Sequence, residues 1–424
     1  MSKVIENFKS FSNIPRCSKD TAQMAKFLED YCDCHDFKFT KDEAGNIHAY
    51  KGKPEICLQS HYDMVCVGDA PNIKIYEDNG WLKAKNSTLG ADNGIGIAII
   101  MEMMKDFDNL EVLFTNDEEI GLCGAGRYES GIISPRLLNL DSEDDTKVTI
   151  GCAGGVDILC KMQITKTEKN GNIYKVELNG LPGGHSGNQI HENIPNAIKI
   201  LAQFLGEKDC ELVEFKGGER RNSIPCAANV IVICKDNLKD YKNIKVTYIG
   251  EKNVKVVNES EKILGILGSF SQGVRSFDTK LGLVNDSINL SLVINEDDFV
   301  EIEFFARSMS KDGIDRLKYE TKTLAKGFGF DCRFQGETSP WKPEESDFSK
   351  IVLSELLKFR PQAKLSGIHA GLECGVLIDK MQGSITACSI GPNIIGPHSI
   401  NEKCEISSCD LIEKVVRNIV KFYN

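Results

Sequence analysis

The sequence predicts an α/β fold: a domain with a mixed, mainly parallel sheet flanked by helices, interrupted by a long α+β insert. Three observations carry this. The early apolar runs EICLQS (55–60), LEVLFT (110–115) and LLNL (137–140) are continuous, as in strands covered on both faces. Helical patterns separate them. From about residue 160 the texture turns to alternating strands, and it returns to the α/β pattern after about residue 340. At 424 residues the chain has room for two or three domains. The division read from it is 1–160 plus 341–424 for one domain and 161–340 for the insert.

In order along the chain, residues 19–32 (KDTAQMAKFLEDYC) have the spacing of an amphipathic helix. Between the first two strands lies GIGIAIIMEMMK, a helix starting just after Asp92 and Asn93. Residues 172–179 alternate in strand fashion and run into the glycine-rich LPGGHSG. The helix NAIKILAQFLG follows, then the strands ANVIVICK and NIKVTYIG. SINLSLVINEDDFVEIEFFARS gives two more strands, and KDGIDRLKYETKTLAKGFG a further helix. Two successive strand-and-helix sets, roughly 160–260 and 261–340, suggest that the insert has two similar halves. SDFSKIVLSELLKF reads as a helix, SITACSIG as a strand and SCDLIEKVVRNIVKFYN as the closing helix.

Charge narrows the function classes. Lys and Arg number 51 against 62 Asp and Glu, a net charge of -11. That excess gives no footprint for nucleic acid or an anionic membrane surface. No apolar run reaches transmembrane length. The opening MSKVIENFKSF lacks the pattern of a secretory signal, so the expected location is the cytoplasm. The 16 cysteines include no C-x-x-C pair, and the expectation is buried, reduced thiols.

Chemistry-bearing residues gather where strands end. His61 and Asp63 follow the first strand, Glu118 and Glu119 the second, and Asp141 the third. Ligands of open α/β sheets bind outside the carboxyl ends of the strands. Asp92 in LGADNG and His398 in GPHS add two loop members. Imidazoles with carboxylates form an N/O donor set suited to Zn²⁺, with Mn²⁺ or Co²⁺ as substitutes. A two-metal hydrolytic site also needs a bridging carboxylate and a second carboxylate that is not a ligand, to take a proton from water. Neighbours on extended backbone point opposite ways, so Glu118–Glu119 can serve both ends. Singly, each motif has a plainer explanation: His-x-Asp a surface hydrogen bond, Glu-Glu a solvated face, GADNG a turn. The acids Glu143, Asp144 and Asp145 read as a solvated loop. Order and placement together favour the metal site.

The ordered set SHYD (60–63), LGADNGIGIA (89–98), TNDEEIG (115–121), NLDSED (139–144), GCAGG (151–155), GGHSG (183–187), HAGLECG (369–375) and GPHS (396–399) resembles the di-zinc metallopeptidases. More narrowly, it is similar to the Xaa-His dipeptidases, the carnosinase-like aminoacyl-histidine dipeptidases. The resemblance implies two Zn²⁺ per chain. His61 and Asp141 would hold one, Glu119 and His398 the other, and Asp92 would bridge both, with its peptide bond to Asn93 often cis. Asp63 would orient His61, and Glu118 would be the general base for a zinc-activated water. The insert would be a lid. Its His185 would polarise the scissile carbonyl from within the same chain, and Asn222 and Arg307 would meet the substrate. His369 and Glu373 would shape the pocket.

The implied activity is hydrolysis of dipeptides, foremost of Xaa-His type. The implied partner is a small peptide, with neither nucleic acid nor membrane, and the assembly is a monomer or homodimer. Alternatives are a broader dipeptidase or aminotripeptidase, an N-acyl-amino-acid deacylase, or a metal-dead scaffold, although no ligand is missing. The stretch NQIHENIPNAI after GGHSG departs from the glycine- and asparagine-rich family pattern, which bears on substrate preference.

Overall fold

The strand Cys57–His61 lies between Leu110–Thr115 and Arg136–Asn139 and runs parallel to both, so all three carboxyl ends open at one edge. This computed structural model describes residues 2–279 and 281–424. The chain folds into two units, Met1–Cys152 with Trp341–Asn424, and Ala153–Pro340.

In the first unit, eight strands form one mixed sheet. Their order is Lys38–Lys41, Ile47–Lys51, Leu110–Thr115, Cys57–His61, Arg136–Asn139, Thr386–Ser389, Lys147–Cys152, Lys364–Ile368. The central strands are buried along their whole length, which is why their sequences do not alternate. Helix Ala91–Asp106 is buried on nearly every side, between the strand Cys57–His61 and the helices Lys3–Phe11 and Ile406–Tyr423. Its Ile95, Ile97, Ile99, Ile100 and Met103 reach 0% exposure, each burial being worth about 1.5–3 kcal/mol. A small four-stranded sheet sets Lys403–Glu405 against Trp81–Ala84, bringing the C-terminal segment beside the chain that leads into this helix.

The second unit has a large antiparallel sheet covered by the helices Ala197–Gly206, Ser260–Ser269 and Lys311–Gly327, beside a separate two-stranded pair. Ile244–Val257, Lys166–Leu178, Ala228–Cys234 and Cys210–Gly217 form one group of strands. Leu283–Asn295, Phe299–Ser308, Gly154–Gln163 and Asp331–Thr338 form the other, and Gly217↔Val293 joins the two. The strand Gly154–Gln163 spans the boundary expected near 160 and pairs on both its edges within this unit. The break therefore falls at 152/153, before that strand begins.

Two expectations need correction. Six cysteines are bonded, as Cys17–Cys66, Cys160–Cys332 and Cys210–Cys234, where reduced thiols were expected. The reason is register: Cys160 faces Cys332, and Cys210 faces Cys234, across paired strands. Asp145 is not a solvated acid either. It is 1% exposed, takes Arg360 on both oxygens at 2.9 and 2.6 Å and accepts from Ser408 at 2.7 Å. No helix among the described residues is long and apolar enough to cross a membrane.

Candidate metal centre

Five strand ends and loops of the first unit deliver carboxylates and imidazoles to one place. His61 closes its strand. Its Nε2 lies 3.2 Å from Asp92 Oδ1 and 3.3 Å from Asp141 Oδ1. His398 comes from the opposite end of the chain, and its Nε2 stands 3.0 Å from Asp92 Oδ2 and 2.8 Å from Glu119 Oε2. The two oxygens of Asp92 thus belong to two separate triads. A third grouping, His61 with Glu118 and Glu119, also has its donor atoms within 4.8 Å of one another.

The local backbone is unusual at these positions. The Asp92–Asn93 peptide bond is cis. Asp117, just before Glu118, and His398 both take positive φ, at +50° and +60°. A positive φ at a non-glycine residue costs about 1–3 kcal/mol and persists where the surroundings enforce it. Asp117 is held there by its Oδ1, which accepts the Lys19 N–H at 2.7 Å.

Asp63 is fully buried and does more than face the imidazole. Its carboxylate accepts the N–H of Glu118 at 2.9 Å, the N–H of Glu119 at 3.3 Å and the Ser18 hydroxyl at 2.8 Å. One carboxylate therefore fixes both the His61 ring and the backbone that carries the two glutamates.

The electrostatics ask for a cation. Burial, reinforced by Asp92, raises the Glu119 carboxyl to about 7. Burial, with Glu119, Asp141 and Glu373 adding to it, pushes Glu118 well above the usual carboxylate range. Asp141 is raised for the same first reason. Burial alone would lower His398, but its hydrogen bonds to Asp92 and Glu119 lift it to about 11. His61 is likewise raised, burial being outweighed by Asp141, Asp63 and Asp92. Glu119 Oε1 is buried with no hydrogen-bond partner among the described residues. An acceptor so stranded is costly unless something positive meets it. The donor set, two imidazoles with carboxylates, is the kind that holds Zn²⁺ or a similar divalent ion.

All six residues expected at the metals, His61, Asp92, Glu118, Glu119, Asp141 and His398, are brought together. Glu373 is fully buried, receives hydrogen bonds on Oε2 from Gln59 at 2.5 Å and Thr115 at 2.6 Å, and leaves its Oε1 without a hydrogen-bond partner among the described residues. His369 is buried in the loop after Lys364–Ile368 and joins none of the three donor groups.

In the second unit, Gly184–His185 pairs with Ser223–Ile224, which sets the Asn222 turn beside His185. The Asn222 carbonyl accepts the Ser186 N–H at 2.8 Å. His185 Nδ1 accepts the N–H groups of Gly187 and Asn188 at 3.2 and 3.1 Å. In the neutral ring the proton must then sit on Nε2. Arg307 is buried, with its guanidinium 4.5 Å from the Phe305 ring centroid. Arg221, next to Asn222, lies over the same ring at 5.6 Å and pairs with Asp157 at 2.6 Å.

The sequence reading missed four residues around the cluster. Asn93 donates to Asp141 at 2.7 Å. Glu143 is raised to about 8 by burial first, then by Asp92 and Asp141. Arg16 and Glu402 are buried beside the Asp92 loop. Asn93 and Glu143 lay inside motifs already marked, whereas nothing local singled out Arg16 or Glu402.

No protein-family model matches the chain. The chain is 32% identical over 453 aligned residues to the cytosol non-specific dipeptidase of Escherichia coli K12, covering 95% of this chain and 93% of that one. The solved aminoacylhistidine dipeptidase of Vibrio alginolyticus superposes with a TM-score of 0.81 at 29% identity, over 100% of this chain and 96% of that one. An M20-family metallo-carboxypeptidase from Sulfolobus solfataricus shares the fold at a TM-score of 0.56 and 13% identity, over 100% and 99% of the two chains.

Proposed function

Since the chain belongs to the dipeptidase family of its 32%-identical Escherichia coli relative, we propose that it hydrolyses dipeptides, Xaa-His dipeptides among them, at a two-metal centre built on Asp92. One observation carries the reading: each oxygen of Asp92 faces a different histidine–carboxylate pair. His61 and Asp141 would hold one ion with Asp92, and Glu119 and His398 the other. The N/O donor set supports Zn²⁺ in both places. When bound, such ions supply an acidified water and a Lewis acid for the scissile carbonyl.

The remaining chemistry belongs to side chains. Glu118, anchored through its N–H by Asp63, is the base for the attacking water and then the acid for the leaving amine. Burial pushes its carboxyl up, while nearby cations draw it down. The balance suits a group that must both take and return a proton near neutral pH. His185 donates from Nε2 to the developing oxyanion, because its Nδ1 is already occupied as an acceptor. His185→Ala is expected to lower kcat about 10²–10³-fold with metal content unchanged. Steady-state kinetics beside metal analysis checks this, and an unaltered kcat removes His185 from the mechanism. Asn222 and Arg307 are assigned to the substrate, Arg307 to its free carboxylate.

The names of the two similar dipeptidases support the substrate class. The name of the Escherichia coli relative supports a cytoplasmic location. The test is a panel of Xaa-His dipeptides, other dipeptides, tripeptides and N-acetyl amino acids, assayed with Zn²⁺, Mn²⁺ and Co²⁺. Dipeptides, including Xaa-His, are expected to be cleaved fastest. Faster cleavage of tripeptides or N-acetyl amino acids would overturn the assignment.

A further inference from the structure

The loop Leu89–Asp92 carries the carboxylate shared by both triads, and two buried charged groups grip its backbone from different sides. Glu402 lies four residues beyond His398 and is 3% exposed. Its Oε2 accepts the N–H groups of Leu89 at 2.7 Å and Gly90 at 2.9 Å. Its Oε1 accepts those of Ala91 at 2.8 Å and Asp92 at 3.4 Å. Successive N–H groups converge on one anion because Gly90 adopts the left-handed conformation, φ +70°, forming a concave nest. Gly90 has no side chain with which to cap helix Ala91–Asp106, and Glu402 supplies the cap from the far end of the chain.

Arg16 completes the grip. It is fully buried and donates to the carbonyls of Gly90, Tyr62 (3.3 Å) and Asp63 (3.2 Å). A Cβ at position 90 would run into the Arg16 guanidinium and Met64. The Gly90 residue is thus held by its N–H on Glu402 and by its C=O on Arg16. The same guanidinium holds the His61–Asp63 turn.

We propose that Glu402 is a positioning residue for hydrolysis: its carboxylate, backed by Arg16, fixes the backbone of Asp92 and ties it to the His398 segment, so that each Asp92 oxygen faces its own triad. This rests on the two-metal reading of Asp92 given above. Groups that orient metal ligands from behind typically change metal affinity 10–100-fold when removed. Glutamine at 402 keeps the shape but replaces one acceptor oxygen with an NH₂ group pointed at N–H donors.

The experiment compares Glu402→Gln with Glu111→Gln. Glu111 is equally buried and caps the N–H groups of Ile133 and Ser134 at 2.8 and 2.7 Å while pairing with His48, but it belongs to none of the donor groups. For each full-length chain, the Zn²⁺ dissociation constant is measured by chelator competition, the Tm without metal, and kcat and KM at saturating Zn²⁺. Glu402→Gln is expected to weaken Zn²⁺ binding about 10–100-fold and to lower kcat more than it changes KM. Glu111→Gln is expected to lower Tm with Zn²⁺ affinity unchanged.

The proposal is overturned if Glu402→Gln binds Zn²⁺ and turns over like wild type. It is overturned equally if Glu111→Gln weakens Zn²⁺ binding as much. Should Glu402→Gln fail to fold, Glu402→Asp, which keeps the charge with a shorter reach, is judged by the same criteria. A wild-type chain that binds no Zn²⁺ at all overturns the two-metal reading, and this proposal with it.

Discussion

Glu118→Gln is expected to lower kcat by about 10²–10⁴-fold while both metal ions remain bound. Glutamine fills the same space and leaves the N–H bond to Asp63 intact, because that bond comes from the backbone. What it cannot do is accept a proton. The effect therefore falls on kcat and on kcat/KM together, the mark of an interaction made in the transition state. A residue that only held metal would instead show its loss in metal content. Turnover and metal content measured on the same preparation separate the two. Near-normal turnover with both ions bound would show that the base lies elsewhere.

Removing metal is expected to abolish turnover and to lower Tm, more so as pH rises. Without cations, the cluster holds Glu118, Glu119 and Asp141, all with carboxyls raised primarily by burial. An acid whose folded pKa exceeds its unfolded value binds more protons when folded. Its contribution is therefore lost as pH rises from the unfolded value, about 4 for a carboxyl, through the folded one. Glu119 at about 7 sets the upper part of that window. His61 and His398, also raised, act in the same direction, their contribution fading as pH climbs above about 6.5. Asp63 and Asp92 are lowered and act only in strong acid. Calorimetry of the chelated chain between pH 5 and 8 should thus show Tm falling steadily. Metal at 100 times its Kd adds back about 2.7 kcal/mol per site. A chelated chain with full activity would contradict the account.

Much of this cluster was legible because its carboxylates and imidazoles sit where strands stop. Continuous apolar runs mark Cys57–His61, Leu110–Thr115 and Arg136–Asn139, and their parallel pairing turns three separate motifs into one edge. His398 and Asp92 were found by motif, since loop positions carry no periodicity. What stayed hidden depends on contacts distant in sequence. Arg16 in NIPRC reads as ordinary loop, yet it grips carbonyls 46 and 74 residues away. Glu402 was passed over because a carboxylate that caps four N–H groups looks, in sequence, like any surface acid. Asp145 was misjudged for the same reason, its partner Arg360 lying 215 residues on. The cysteine pairs depend on strand register within the second unit and on a loop contact in the first.

The measurement that bears most directly on the two-metal centre is anomalous diffraction from crystals of the full chain grown with Zn²⁺. The account predicts two peaks about 3.5–4 Å apart with Asp92 between them, one beside His61 and Asp141 and the other beside Glu119 and His398. A single peak, or peaks away from Asp92, would contradict it.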